Sequence, residues 1–139
     1  MTYTFDYFVG KLRCPECGIV SRADESTNMQ TKICRVPKMA PYAEGAVLEF
    51  DLGDIEAGGY ILIQPPRDSE SLILLESWEC PSCGAPFNWA KISIKNKTIE
   101  VVESINLDES VIKKSNYISE DCGYLGWKIT DKEVKQEKI

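Results

Sequence analysis

Cys14-Pro15-Glu16-Cys17-Gly18 recurs as Cys80-Pro81-Ser82-Cys83-Gly84. Each pentapeptide reads as a metal knuckle: Pro sets one backbone dihedral, Gly permits the positive φ at which the turn leaves, and the N–H groups between them can reach sulfur. A single knuckle supplies two thiolates, half of a tetrahedral shell. The two together therefore predict one tetrathiolate site built from Cys14, Cys17, Cys80 and Cys83. Sixty-two residues separate Cys17 from Cys80, so the interval must form a β unit of its own or extend the sheet that carries the knuckles.

Outward from the knuckles the pattern is mostly β. Leu48, Phe50 and Leu52 alternate with Glu49 and Asp51 in Val47–Leu52, the period of a half-buried strand. Gly58-Gly59 turns the chain into Tyr60–Ile63, which Pro65-Pro66 ends. Leu72–Trp78 runs into the second knuckle as a buried strand, and Phe87–Ile94 with Thr98–Val102 forms a hairpin around Lys95-Asn96-Lys97, which calls for an antiparallel sheet. Tyr3, Phe5 and Tyr7 mark a strand that delivers Cys14 after a break at Gly10. One helix is expected from about Asn106, with Leu107, Val111 and Ile118 on one face, acids in its first turn and Lys113 and Lys114 later. Gly123–Ile129 reads as a last strand, and residues 131–139 as a charged, solvated, frayed tail. The expected fold is mainly β (α+β with one short helix): a single domain over 1–130, with a β-rich insertion at 19–79 between the knuckles.

A chain of 139 residues buries about two-thirds of its unfolded surface, so a core accompanies the metal. Neither a membrane-spanning apolar run nor the start of a secretory signal is seen, and a cytoplasmic protein without a membrane partner is expected. In that compartment metal is favoured over disulfides, which are also strained between cysteines only two residues apart. The chain has no histidine, which removes the usual general base and the imidazole ligands of catalytic zinc; together with a closed four-thiolate shell this predicts a non-enzyme. Cys34 and Cys122 lie outside the knuckles and read as ordinary buried cysteines, with a reactive thiol or an extra ligand as the alternative. A thioredoxin-like reading of C-P-x-C would require a motif opening a helix in a βαβ unit.

The paired knuckles, with the aromatic segment Gly84-Ala85-Pro86-Phe87-Asn88-Trp89 after the second, resemble the zinc-ribbon and rubredoxin-like group. The resemblance covers about thirty residues around the four cysteines. It implies one structural Zn2+, with a rubredoxin-like iron centre for electron transfer as the alternative, although rubredoxins are far shorter between their knuckles. Ribbons serve in many processes, so it says little about biological role.

Charge is the remaining clue. Residues 1–43 sum to +2 and residues 86–139 to 0, while residues 44–85 hold nine acids against one base, Arg67, for −8; the whole net charge of −6 thus originates in the insertion. A zinc tetrathiolate would take the folded domain to about −8, the wrong sign for a phosphate backbone. Glu44, Glu49, Asp51, Asp54 and Glu56 cluster in a stretch free of Lys and Arg from Met39 to Pro66. They read as a docking face for a basic protein partner, as in an immunity protein that neutralises a toxin or in an adaptor, or simply as the solvent face of a strand and loop. They match no complete calcium loop. A nucleic-acid or ribosome-associated ribbon is the rival, supported by Lys11, Arg13, Arg22, Lys32, Arg35 and Lys38 near the first knuckle. Tyr42, Tyr60, Trp78, Trp89, Tyr117, Tyr124 and Trp127 are divided between core and interface in a way that composition does not decide.

Overall fold

Leu72–Leu75 is apolar at four successive positions because the strand that contains it is buried on both faces. The computed structural model describes residues 4–22, 27, 29–35, 41–47, 60–66, 71–129 and 134–137. Among the described residues ten strands run in chain order: β1 Thr4–Phe8, β2 Gln30–Arg35, β3 Pro41–Tyr42, β4 Tyr60–Leu62, β5 Ser71–Trp78, β6 Asn88–Lys95, β7 Thr98–Ile105, β8 Tyr117–Ser119, β9 Trp127–Ile129 and β10 Val134–Gln136. A short helix α1, Glu109–Lys113, precedes β8, and a 3₁₀ helix, Glu120–Leu125, follows it. A five-stranded sheet, β4-β8-β5-β6-β7, forms the middle layer. The fold is mainly β, as expected.

One face of this sheet packs Leu74, Trp78, Ala90, Ile92 and Val102 against Phe8 and Tyr42 of a three-stranded sheet, β2-β1-β3, in a cluster that also takes in Cys14 and Cys80. The other face packs Leu75, Trp89 and Ile118 against Ile112, Cys122 and the β9-β10 ribbon. The metal knuckles thus belong to the first core. Buried Glu76 stands on that same face as the acceptor of a 2.6 Å hydrogen bond from the Tyr60 hydroxyl, and burial together with this carboxylate pushes the Tyr60 pKa well up.

The β6–β7 hairpin turns through Asn96 and Lys97, both at positive φ (51° and 61°). Two left-handed central residues make a type I′ turn, whose twist matches that of the flanking strands. Asn adopts this conformation more readily than Lys. Lys97→Gly is therefore expected to raise stability by about 0.5–1 kcal/mol, read as a higher denaturant midpoint at unchanged m-value.

Several expectations need correction. The sheet is mixed: β5 pairs with β8 in parallel, and β3 pairs with β1 in parallel. The helix is five residues long and does not reach Ile118, which lies in β8. Asp108 caps it by accepting from Val111 N–H, the Ser115 hydroxyl bonds back to Ile112 O, and Asn116 accepts from Ile73 N–H, which draws the chain into the sheet. Glu120–Leu125 is a 3₁₀ helix, so the last predicted strand begins only at Trp127. Within the stretch read as a frayed tail, Val134–Gln136 pairs with β9, and Glu137 donates its N–H to Gly126 O and pairs with Lys128 at 2.8 Å. Of the strand expected at Val47–Leu52, Val47 bridges Thr98; residues 48–52 lie outside the described residues. No helix among the described residues is long and apolar enough to cross a membrane.

Candidate metal centre

Each knuckle is the tip of a tight hairpin. In the first, Arg13 bridges Val20, Cys14 N–H donates to Ile19 O at 3.0 Å, and Gly18 N–H donates to Cys14 O at 2.9 Å. In the second, which closes the β5–β6 hairpin just beyond the Trp78–Asn88 pair, Cys80 N–H donates to Ala85 O at 3.1 Å and Gly84 N–H to Cys80 O at 2.9 Å. Gly18 and Gly84 have φ of 76° and 75°. The repeated sequence thus folds into the same turn twice, with the glycine where only a residue lacking Cβ adopts the dihedral readily.

The approach of the two turns is built into their flanks. Gly10 lies so close to β7 that a Cβ there would stand 2.7 Å from Val102 Cγ1. Leu12 is fully buried, its N–H donates to Ser21 Oγ, and the Ser21 hydroxyl donates to Gly10 O, locking the base of the first turn. Arg13 N–H reaches Ser104 Oγ at 3.3 Å, and Glu79 N–H donates to Thr27 O at 2.8 Å beside the second turn. The first cysteine of each knuckle, Cys14 or Cys80, is buried in the core; the second, Cys17 or Cys83, is exposed.

All four sulfurs lie within 4.8 Å of one another. Cys14 Sγ to Cys83 Sγ and Cys17 Sγ to Cys80 Sγ are each 3.7 Å. Tetrahedral coordination with metal–sulfur bonds of about 2.3 Å places sulfurs about 3.8 Å apart, so the donor set fits a four-coordinate ion. The environment also favours a cation. Cys83 N–H points at Cys80 Sγ and brings its pKa down to about 7. At Cys83 the N–H of Ala85 favours the thiolate, but desolvation and the sulfurs of Cys14, Cys80 and Cys17 outweigh it and push the pKa up to about 12. Four adjacent thiolates repel one another unless a metal sits among them. Asn88 Nδ2 adds a long contact to Cys14 Sγ at 3.9 Å.

The remaining predicted residues fall elsewhere. Cys122 is fully buried, burial pushes its pKa up to about 11, and it packs among apolar residues on the far face of the sheet. Cys34 stands in β2 opposite Phe5. Of the acidic cluster, Glu44 is described, and its Oε1 accepts from Val102 N–H at 3.0 Å. An outward-facing acid of the insertion thus satisfies the edge of β7, a role that no local pattern discloses. Glu49, Asp51, Asp54 and Glu56 lie outside the described residues. The aromatics divide clearly: Tyr42, Tyr60, Trp78, Trp89 and Tyr117 are core, while Tyr124 is 71% exposed and stacks on Phe87 with ring centroids 5.5 Å apart. Comparison of the chain with protein-family models, with curated proteins and with solved structures finds no match in any of the three.

Proposed function

We propose that the chain is a non-catalytic, zinc-stapled interaction module that binds a basic protein partner through its acidic insertion. The observation that carries this reading is the segregation of charge: residues 44–85 hold −8 of a chain whose net charge is −6. The four-sulfur cluster supports a structural rather than catalytic ion, because four thiolates fill a tetrahedral shell and leave no position for water or substrate. Zinc is favoured over iron for a closed shell in a chain much longer than a rubredoxin, and colour separates them, since a ferric tetrathiolate is red. An immunity protein of a toxin is one form such a module would take, with a cytoplasmic setting in keeping with free thiols.

The test replaces Glu49, Asp51, Asp54 and Glu56 by Asn or Gln and keeps Glu44, whose carboxylate holds β7. With metal content and melting unchanged, association with the partner recovered from the native host is expected to slow by about tenfold or more at low salt and to lose most of its salt dependence. Unchanged rate and unchanged salt dependence would reduce the cluster to a solvated face. Sub-micromolar binding of duplex DNA or structured RNA at physiological salt would instead favour the exposed bases Lys11, Arg13 and Arg22 as the working surface.

A further inference from the structure

Two short sulfur pairs in the metal centre each join an exposed cysteine of one knuckle to a buried cysteine of the other. Cys17, exposed, stands 3.7 Å from Cys80, which is 3% exposed; Cys83, exposed, stands 3.7 Å from Cys14, which is 1% exposed. Residues 15–20 and 81–84 are exposed too, so a small solute reaches one sulfur of each pair without entering the core. The buried sulfurs are held in place: Cys14 N–H donates to Ile19 O, Cys80 N–H donates to Ala85 O, and both residues pack in the cluster of Leu74 and Trp78. An accessible thiolate beside a fixed second thiolate is the arrangement of a redox-sensing pair. Here it occurs twice around one ion.

A bound metal keeps its ligands deprotonated, and the thiolate is the form that reacts. The Cys17 thiolate attacks one oxygen of hydrogen peroxide, the O–O bond breaks and hydroxide leaves, so Cys17 becomes a sulfenic acid. The Cys80 thiolate then attacks that sulfur, forms the S–S bond and displaces a second hydroxide. Cys83 and Cys14 react in the same way. Two peroxides thus take four electrons from the four thiolates, leaving two disulfides and four hydroxide ions. No sulfur remains a thiolate, and the centre gives up the ion. Pairing across the knuckles also preserves the fold, because each bridge closes the long interval that the ion closes. A bridge within one knuckle, between cysteines two residues apart, is strained and leaves the two turns unlinked.

We propose that the metal centre is a peroxide-operated thiol–disulfide switch, which exchanges the ion for the bridges Cys17–Cys80 and Cys14–Cys83 and takes it back on reduction. This rests on the metal reading above, so the metal content of the reduced protein is measured first; a chain that binds none would overturn both. The zinc-loaded chain, freed of reductant, is then treated with hydrogen peroxide beside a chromogenic zinc chelator. Release of about one equivalent of zinc is expected as about two equivalents of peroxide are consumed, with the near-ultraviolet dichroism largely kept. Dimedone present with the oxidant should label Cys17 and Cys83 at least about tenfold more than Cys14 and Cys80. Tandem mass spectrometry of tryptic peptides should find the two bridges above and Cys122, which is fully buried, still a thiol. Dithiothreitol with zinc should then restore the full equivalent of metal. In a chain shown to hold zinc, retention of the ion under excess peroxide, bridges within a knuckle, preferential labelling of the buried sulfurs, or oxidation that the dithiol does not reverse would each overturn the switch and leave the metal reading standing.

Discussion

Cys80→Ser is expected to abolish metal binding and leave the chain unfolded, seen as loss of the metal equivalent and collapse of the near-ultraviolet dichroism. Cys80 is buried, supplies one of four sulfurs, and begins the turn that closes the β5–β6 hairpin. Structural zinc contributes about 10–16 kcal/mol in small thiolate-rich domains. That equals or exceeds the whole stability of a typical domain, about 5–15 kcal/mol. Three remaining thiols, with the shell broken at a buried position, hold an ion far more weakly, and the mutual repulsion of the sulfurs is no longer offset. Cys122→Ala and Cys34→Ser should both keep a full equivalent of metal. Loss of metal in either would overturn the ligand assignment.

Leu74→Ala should cost about 2–5 kcal/mol, the range for truncating a fully buried leucine that leaves a cavity. Leu74 has no exposed surface, faces the equally buried Ile92 across β5 and β6, and belongs to the cluster that holds Cys14 and Cys80. The variant should therefore also surrender its metal to a chelator sooner than the parent, since core and sulfur cluster share one packed unit. Leu62→Ala offers the contrast. Leu62 is 46% exposed on the edge strand β4, and its truncation should change stability by about 0.5 kcal/mol or less. Equal losses at the two positions in denaturant melts would contradict the placement of the core.

The metal ligands were legible because a knuckle is a local object: five residues encode the turn, and the repeat identifies its partner. The β6–β7 hairpin was legible for the same reason, through alternation and a two-residue turn. What remained hidden was non-local. The parallel pairing of Leu75 with Ile118 joins positions far apart in the chain, and the apolar spacing that made Ile118 look helical belongs equally to a three-residue strand buried throughout. Asp108 and Ser115 mark the two ends of the real helix through bonds to Val111 N–H and Ile112 O, which apolar spacing does not reveal. Glu44 was grouped with its acidic neighbours by composition, whereas its bond to Val102 spans 58 positions. The indole N–H groups of Trp78 and Trp89, buried without an acceptor among the described residues, have no signature in sequence, because satisfaction of a donor is a property of the packed molecule.

The sulfur cluster joins Cys17 and Cys80 across an interval of 62 residues, and the chain entropy of closing such a loop rises only with the logarithm of its length. Tripling an interval adds about 1 kcal/mol, scarcely more than the worth of one buried methylene, about 0.8 kcal/mol. Length is thus a weak constraint on where two knuckles stand in a chain. As far as chain entropy goes, residues added to this interval outside its packed strands β2 to β5 cost the ion that ties its ends little, so a change in the interval's length is thermodynamically compatible with persistence of the staple.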